Sequence, residues 1–381
     1  MASPRSTVPV QPSTLRWAMD RAGYSADDLL GNFPKIEEWL ASDSAPTFSQ
    51  LERLSATLSL PTAYFFSERP PSIETPANSF RTLPAEYLRS LPPTLRKRLI
   101  SAQGYQIALK EAFGPTNERL DRSILAAIRK SKSPRAAARR VRVLLNISFE
   151  QQRGWNNGFD YALARWREII TNAGIYVFLD ALKNEAVSGF CLYDSEFPII
   201  VLNNSHAKSR QIFTIFHELA HIGKETSGID STDDTAALNS EQSARIERYC
   251  DDFAAEFLFP REEAERIASS HEEPEKSLEA IASNAKVSRA VVLRTFYSMG
   301  IVDSEKYNRL IALYNQPPAN PRDEGGGGNY YNTKRAYLGT QFLERVFSLY
   351  NRRLIDEDDA ARLLDVAPKN LEGLRPREAN T

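Results

Sequence analysis

Two histidines and a glutamate form the most chemically informative pattern in this chain. The segment from Phe213 to Ile222 reads FTIFHELAHI, and within it His217 and His221 are four residues apart in an H-E-x-x-H arrangement. On an α-helix, residues at this spacing lie one turn apart on one face, so both imidazoles can bind the same metal ion. Glu218 can then reach a water molecule at an open position beside that ion. The pattern predicts a metallopeptidase-type site.

Apolar residues in the same segment predict the helix that carries this pattern. They recur at helical spacing and form a stripe separate from the histidines: Ile212, Ile215, Phe216, Leu219 and Ile222. We therefore expect one side of the helix to be buried and another to offer the metal-binding groups. The alternative is a surface helix with two incidental histidines, which is disfavoured because the whole chain has four histidines.

The third zinc ligand has to come from elsewhere in the chain. A metzincin would continue with H-x-x-G-x-x-H, but Lys224 occupies the glycine position and no histidine follows nearby. The other solution is a carboxylate on a second helix, which gives a His₂Glu set with one position open to water. The segment Glu241–Pro260 predicts such a helix, with Glu247 and Asp251 one turn apart beside its apolar face. We predict that Glu247 is the third ligand of one Zn²⁺ ion and that Asp251 orients a ligand histidine. Two solvated helix carboxylates are the alternative.

These two segments together resemble the ImmA/IrrE family of metallopeptidases. The chain reads F-T-x-x-H-E-L-A-H and then E-x-x-C-D-x-F-A-A-E-F-L-F-P, whereas the family usually shows F-T-x-A-H-E-L-G-H and E-x-x-A-N-x-F-A-A-x-L-L-M-P. The departures are Phe216 for alanine, Ala220 for glycine, and Cys250-Asp251 for Ala-Asn, and none of them removes a ligand or Glu218. The likeness extends more loosely over most of the chain. It is greatest to the longer members, which carry a Cro/repressor-type helix-turn-helix domain ahead of the peptidase.

The resemblance implies a fold, a mechanism and a class of substrate. The fold class is α+β and mainly helical: a zincin-like core with a small β-sheet, preceded by an all-α helix-turn-helix-like domain. Zinc would be held by His217, His221 and Glu247, with Glu218 as general base. The substrate would be a transcriptional repressor or other regulatory protein, cut in a stress, DNA-damage or mobile-element response. The alternative is a DNA-binding regulator or antitoxin-like protein with an idle or structural metal site. The sequence assigns no substrate-binding residue and no oligomeric state.

Composition limits the compartment and the class of protein. The 381 residues are 42% hydrophobic and carry a net charge of −1, so nothing attracts the whole chain to nucleic acid. Two cysteines, Cys191 and Cys250, do not make a disulfide framework, which suits a reducing cytoplasm. No apolar run reaches membrane-spanning length, and the first residues lack the apolar region of a signal peptide. We therefore predict a cytoplasmic protein without membrane contact.

Changes in composition along the chain predict its domains. In order, they are a disordered leader (1–11), a repressor-like helix-turn-helix domain (12–69), a linker (70–91), a helical region (92–172), a zincin-like peptidase domain (173–316), a Pro/Gly-rich linker (317–332) and a small C-terminal helical unit (333–381). Three β-rich segments, at 174–179, 187–193 and 197–203, predict the sheet. Peptidases of this type often bind substrate as an added strand at a sheet edge. The polar stretch 223–239 predicts a mobile loop beside the cleft.

Two charge patterns bear on nucleic-acid binding. Residues 1–69 contain six Lys/Arg and eight Asp/Glu, and Glu37 and Glu38 stand where a recognition helix would meet phosphate. We therefore expect the N-terminal domain to bind DNA weakly or not at all, as a former DNA-binding fold used for packing or dimerisation. By contrast, the run from Arg129 to Arg142 holds seven basic residues and no acidic one. A solvated helix face is the simpler interpretation of this run, and a patch for nucleic acid or an acidic partner is the alternative.

Overall fold

The computed structural model describes residues 7–58, 60, 62–67, 91–231, 241–270, 274–314 and 329–376. The chain divides into two compact units, Met1–Gly104 and Tyr105–Thr381. Parts of four predicted segments lie outside the described residues. They are half of the leader, nearly all of the first linker, the second part of the 223–239 loop and most of the Pro/Gly-rich linker.

Helices dominate the described residues. The α-helices in chain order are α1 (Pro12–Ala22), α2 (Ala26–Leu30), α3 (Ile36–Ala41), α4 (Phe48–Leu58), α5 (Pro93–Phe113), α6 (Arg122–Lys130), α7 (Pro134–Leu144), α8 (Phe149–Arg153), α9 (Gly158–Asn172), α10 (Lys208–Gly223), α11 (Glu241–Leu258), α12 (Arg261–Ser269), α13 (Leu278–Ala285), α14 (Arg289–Ser298), α15 (Ser304–Tyr314), α16 (Tyr330–Leu338), α17 (Thr340–Asn351) and α18 (Glu357–Leu363). The strands are β1 (Tyr176–Asp180), β2 (Val187–Leu192), β3 (Ile199–Asn203) and β4 (Ile229–Ser231). This architecture confirms the predicted α+β, mainly helical fold class. Among the described residues, no helix is long and apolar enough to cross a membrane.

The first unit buries one apolar cluster between its short helices. Leu15, Trp39 and Leu54 are almost fully buried in this cluster, one each from α1, α3 and α4. Helix α1 ends at Gly23, whose φ of 75° is the left-handed conformation that glycine adopts without a steric penalty. Helix α3 has six residues and exposes Glu37 and Glu38, the acidic pair expected at the phosphate-facing position. The helix-turn-helix assignment and the expectation of weak DNA binding stay predictions.

A mixed four-stranded sheet lies in the second unit, in the order β1-β3-β2-β4. Strand β3 pairs in parallel with β1 and antiparallel with β2, and β2 pairs antiparallel with β4. The first three strands are buried along their whole length, which explains their continuous β-rich, apolar sequences. Pro198 immediately precedes β3, at the strand start where a missing N–H is tolerated. Strand β4 lies inside the segment predicted as a mobile loop, so that prediction is wrong for residues 229–231.

The two faces of the sheet pack against different helices. Val177 and Ile200 point into the core cluster that also contains the apolar stripe of α10. On the other face, the rings of Phe178 and Tyr105 from α5 stack with their centroids 4.5 Å apart. The sheet therefore separates the part of α5 that begins at Tyr105 from α10, the helix that carries the H-E-x-x-H motif.

The C-terminal helices α16 to α18 form a compact group beside β1. Phe342 of α17 is buried and meets the ring of Phe178 edge-on at 5.9 Å. The apolar pattern of residues 333–376 predicts a helical unit packed around Phe342, Val346, Leu349, Leu354, Ala360, Leu363 and Leu364, and all of these except Leu354 are buried. Leu354 is 60% exposed, so its assignment to the core is wrong. It follows the end of α17, where the chain leaves the helix before α18 begins.

Candidate metal centre

Helix α10 is held in the middle of the second unit by aromatic packing on one side and close backbone contact on the other. The ring of Phe216 stacks on Phe257 of α11 at 4.1 Å and meets Trp166 of α9 edge-on at 4.9 Å. A side chain at Gly189 in β2 would place its Cβ 2.7 Å from Thr214 Cγ2 and from the Val201 carbonyl oxygen. Glycine at this position therefore permits α10 to approach the sheet closely, and this sets the distance between the H-E-x-x-H motif and the sheet.

The predicted metal ligands meet at one point. His217 Nε2 lies 3.2 Å from His221 Nε2, and Glu247 Oε2 of α11 lies 3.2 Å from the former and 3.4 Å from the latter. In tetrahedral coordination with bonds of about 2.0–2.1 Å, neighbouring ligand atoms are about 3.3 Å apart. The three atoms thus have the spacing of one face of a tetrahedral zinc site, and the donor set of two imidazoles and a carboxylate suits zinc. The residues present fit a zinc ion.

The other ring nitrogen of each histidine is held by a protein oxygen. Asp251 Oδ1 lies 3.1 Å from His217 Nδ1, as predicted for a carboxylate that orients a ligand. Arg294 of α14 in turn donates to Asp251 Oδ2 over 2.7 Å. On the second histidine, Nδ1 lies 3.2 Å from Thr226 Oγ1. Both Nε2 atoms are therefore directed towards the same point by fixed partners.

Glu218 is fully buried next to this cluster. Among the described residues, no N–H or O–H group donates to either oxygen of its carboxylate. The thiol of Cys191 in β2 is its polar neighbour, and burial raises the pKa of Glu218 above its ordinary value. A buried carboxylate with free lone pairs can take up a proton from a bound molecule, which is the property that a general base requires.

The ligand side chains strongly perturb one another's pKa values. Burial disfavours the charge on Glu247, but the two imidazoles outweigh it and hold the pKa of that carboxyl well below its usual range. For His217, burial likewise opposes protonation, yet hydrogen bonds with Asp251 and Glu247 raise its pKa well above the ordinary value. The carboxyl group of Glu247 is therefore ionised at neutral pH. The imidazoles of His217 and His221, by contrast, must lose protons when a metal binds.

The basic run does not form a single surface. Arg142 is buried, and its guanidinium donates to the carbonyl oxygens of Phe257 and Ile147 over 2.6 and 3.0 Å. Arg139 pairs with Glu256 and Glu262 of α11 and α12, and Arg129 pairs with Glu225. Six of the seven are exposed to solvent: the paired Arg129 and Arg139 together with Lys130, Lys132, Arg135 and Arg140. Three of the seven charges thus have structural partners, and a nucleic-acid or acidic-partner patch stays a prediction for the remainder.

The sequence prediction did not find three residues that shape the centre. Thr226 holds His221, Arg294 holds Asp251, and Gly228 leaves room for the imidazole of His221, because a Cβ there would lie 2.8 Å from its Cδ2. Gly228 lies seven residues after His221, so the glycine could have been recognised in the sequence as a turn close to the motif. Arg294 is 43 residues beyond Asp251, and no local pattern connects the two.

Comparison with known proteins supports the predicted family for the segment that contains this centre. Residues 170–297 match the family model Peptidase_M78, described as the IrrE N-terminal-like domain. A search of curated proteins found no match. The matched segment begins at the end of α9 and includes the sheet, α10 with the H-E-x-x-H motif, α11 with Glu247, and α14 up to Tyr297. Residues 170–297 therefore match an IrrE N-terminal-like domain, which agrees with the predicted resemblance to the ImmA/IrrE family.

Proposed function

We propose that this protein is a cytoplasmic, zinc-dependent endopeptidase that cleaves a transcriptional repressor or another regulatory protein in a stress, DNA-damage or mobile-element response. One observation carries the proposal: three ligand atoms from His217, His221 and Glu247 lie 3.2–3.4 Å apart beside the buried carboxylate of Glu218. The resemblance to the family supplies the class of substrate. One Zn²⁺ ion per chain is expected, because the described residues offer one such ligand group.

The side chains of the centre have two different roles, metal binding and proton transfer. His217, His221 and Glu247 would hold the ion. When bound, zinc polarises the scissile carbonyl and lowers the pKa of a water molecule towards about 7. Glu218 accepts a proton from the attacking water at a carboxylate oxygen and then passes it to the nitrogen of the leaving amine. Asp251 keeps the ring of His217 in its binding orientation throughout.

The substrate is expected to bind along strand β4. The opposite edge of the sheet, β1, has the C-terminal helices beside it, and Arg167 donates to its Val177 carbonyl oxygen over 2.9 Å. Strand β4 begins directly after Gly228, where an added Cβ would lie 2.8 Å from Cδ2 of His221. Thr214 Oγ1 of α10 donates to Asp230 Oδ2 over 2.8 Å. An extended peptide added to β4 by main-chain hydrogen bonds would therefore pass close to the metal ligands.

The proposal is tested by cleavage of purified repressors. Wild-type protein loaded with zinc is incubated with a panel of repressors, and fragments are mapped by mass spectrometry with and without a chelator. Glu218→Gln keeps the shape of the side chain but cannot accept a proton, so cleavage should fall by roughly 10²–10⁴-fold. Glu241→Gln, an exposed substitution of the same type at the start of α11, should cleave like the wild type.

Two outcomes would contradict this function. Cleavage that persists unchanged in Glu218→Gln would exclude the proposed base. If no repressor is cut but the full-length protein binds duplex DNA tightly and sequence-selectively at physiological salt, the regulator with an idle metal site replaces the peptidase.

A further inference from the structure

One arginine shares the face of α10 that carries the metal ligands. Arg210 lies in the first turn of this helix, seven residues before His217. Seven residues are close to two helical turns, so Arg210, Thr214 and His217 follow one another along the same side of the helix. The rise of about 1.5 Å per residue separates Arg210 from His217 by about 10 Å along the axis. Arg210 therefore stands beside the metal centre, towards the start of α10.

An irregularity in β2 holds this arginine in place. The pairing of β2 with β4 shifts register between Val187 and Gly189, so Ser188 interrupts the regular ladder. Such an interruption re-aims a side chain. The buried hydroxyl of Ser188 accepts from Arg210 Nε over 2.6 Å. This bond fixes the guanidinium at the place where β4 pairs with the rest of the sheet.

The two Nη nitrogens of Arg210 are available to a ligand. Among the described residues, they form no hydrogen bond and the guanidinium forms no ion pair. Both Nη atoms keep accessible surface, and the residue as a whole is partly exposed. Arg142, by contrast, directs its guanidinium at carbonyl oxygens of the protein. An arginine whose Nε is held and whose Nη atoms face outward is suited to bind a carboxylate.

The neighbouring charges leave that role to Arg210. Asp230 of β4 accepts from Thr214 Oγ1, so this carboxylate already has a partner. Burial and Arg210 lower the pKa of His206, and Glu185 and Asp230 offset this only in part, so the imidazole is uncharged at neutral pH. The two carboxylates weaken the attraction of a further acid without removing it. A gain of about tenfold in affinity is therefore the upper limit that we expect from Arg210.

Strand β4 runs from the metal centre towards Arg210. It begins beside the ring of His221, and its next residue, Asp230, contacts Thr214, which is about two turns closer to the start of α10. An extended peptide rises about 3.3 Å per residue, so about three residues span the distance of about 10 Å between the levels of His217 and Arg210. A peptide added to β4 would thus bring a side chain to Arg210.

We propose that Arg210 determines part of the substrate specificity: it binds the carboxylate of an aspartate or glutamate about three residues from the scissile bond. Both Nη atoms donate to this carboxylate while Ser188 holds Nε. The inference rests on the proposed function, because it assigns one side-chain position of a peptide bound along β4. A regulatory protein with an acidic residue at that position is cut in preference to one without it.

Cleavage of a library of short peptides with mixed sequences tests the preference. Zinc-loaded wild type, Arg210→Gln and Arg210→Glu receive the same library, and the cut peptides are sequenced by mass spectrometry. In the wild type, Asp and Glu should be enriched about five- to tenfold over Asn and Gln at one position about three residues from the cut. Arg210→Gln should lose this enrichment, and Arg210→Glu should replace it with a preference for Lys and Arg.

Two further variants control for charge and for folding. Lys208→Gln also removes a positive charge from the first turn of α10, but its Nζ donates to Asn204 Oδ1 over 3.4 Å. This variant should keep the acidic preference. Ser188→Ala leaves Arg210 in the chain and frees its Nε, so the enrichment should fall to less than half. It decides the matter if the Arg210 variants do not fold.

Peptide binding separates failure of this inference from failure of the proposed function. Zinc-loaded Glu218→Gln protein is titrated with two fluorescent peptide pools that differ only in Glu or Gln at one fixed position, and polarisation reports binding. The Glu pool should bind about five- to tenfold more tightly. Protein with both Glu218→Gln and Arg210→Gln should bind the two pools equally. This comparison needs no turnover, so it decides the inference even when no peptide is cut.

Three results would overturn the proposal. One is equal binding of the two pools by Glu218→Gln protein, because an acidic side chain would then gain nothing. Another is an acidic preference that persists in Arg210→Gln, because a different residue would then select the acid. The third is an equal loss of affinity for both pools on changing Arg210, because the guanidinium would then hold the main chain of the peptide.

Discussion

Helices α10 and α7 both pack against α11, and each carries a dense set of ionisable side chains. From α10, His217 and His221 direct their Nε2 atoms at a single carboxylate, that of Glu247. All three groups share one small volume, and their pKa values are perturbed together. The α10 side of α11 therefore has polar groups that converge.

The α7 side is organised in the opposite way. Arg142 points inward, with its guanidinium carbon 4.8 Å from the centroid of the Phe257 ring, whereas Arg139 points along the surface to two glutamates. Arg140, between them in sequence, is exposed. Arg142 and Arg139 contact separate partners and Arg140 faces solvent, so these charges diverge.

The contrast shows which patterns carry structural information. Ligand residue types at i and i+4 on a helix must lie on one face, so their spacing alone predicts convergence. A run of Arg and Lys fixes only charge density, because consecutive residues point in different directions and each long stem can bury its apolar part while the charged head finds its own partner. Substitutions at the two sites should therefore have different consequences.

The largest effect is expected at the point of convergence. Glu247→Ala removes a ligand, so the protein should lose its zinc, and cleavage should fall by more than the roughly 10²–10⁴-fold expected from losing the general base alone. Metal content and repressor cleavage are measured on the same sample. Glu241→Ala, near the start of the same helix, is the matched control and should retain both. Cleavage by a Glu247→Ala protein would mean that the convergence is not the catalytic site.

A smaller effect is expected from the residue that orients a ligand. Asp251→Asn weakens the hold on His217 without removing a ligand, and zinc affinity should fall roughly 10- to 100-fold. Competition with a chelating dye measures this affinity. Asp252→Asn is the control, because Asp252 also contacts Arg294, at 3.3 Å, but makes no contact with a ligand histidine. Equal losses in the two variants would show that Arg294, and not the Asp251–His217 contact, sets the affinity.

The divergent set should respond in stability and not in metal binding. Arg142→Met leaves the carbonyl oxygens of Phe257 and Ile147 without their donor, and the free energy of unfolding should fall by about 2–4 kcal/mol. Arg140→Met, at an exposed position of the same helix, should change it by no more than about 0.5 kcal/mol. Denaturant titration of both variants makes the comparison. Similar free energies of unfolding for the two variants would mean that the hydrogen bonds of Arg142 do not stabilise the fold.

The same physical distinction explains how much of the fold was predictable. The strands β1, β2 and β3 are fully buried, so their sequences are long apolar, β-rich runs that can be recognised. Strand β4 has three residues in a polar stretch and exists because it pairs with β2, which no local pattern reveals. Leu354 fitted the apolar spacing of the C-terminal helices, yet the chain leaves α17 before that residue, so helical spacing no longer applies.

The site shows the same division between local and long-range information. His217, Glu218 and His221 follow from spacing on one helix, and Glu247 follows from the need for a third ligand together with the family resemblance. Thr226 reaches back to His221 through the turn after α10, and Arg294 reaches Asp251 from a separate helix. These contacts are set by tertiary packing, and a single sequence does not encode them in any readable spacing.

The most direct test of the account is the zinc content of wild-type protein and of Glu218→Gln. Each protein is saturated with zinc, passed over a desalting column and analysed by plasma mass spectrometry against protein concentration. The account predicts one zinc ion per chain in both, because Glu218 lies beside the ligands and is not one of them. Absence of zinc from the wild type would contradict the proposed centre, and loss of zinc from Glu218→Gln alone would show that Glu218 helps to hold the ion.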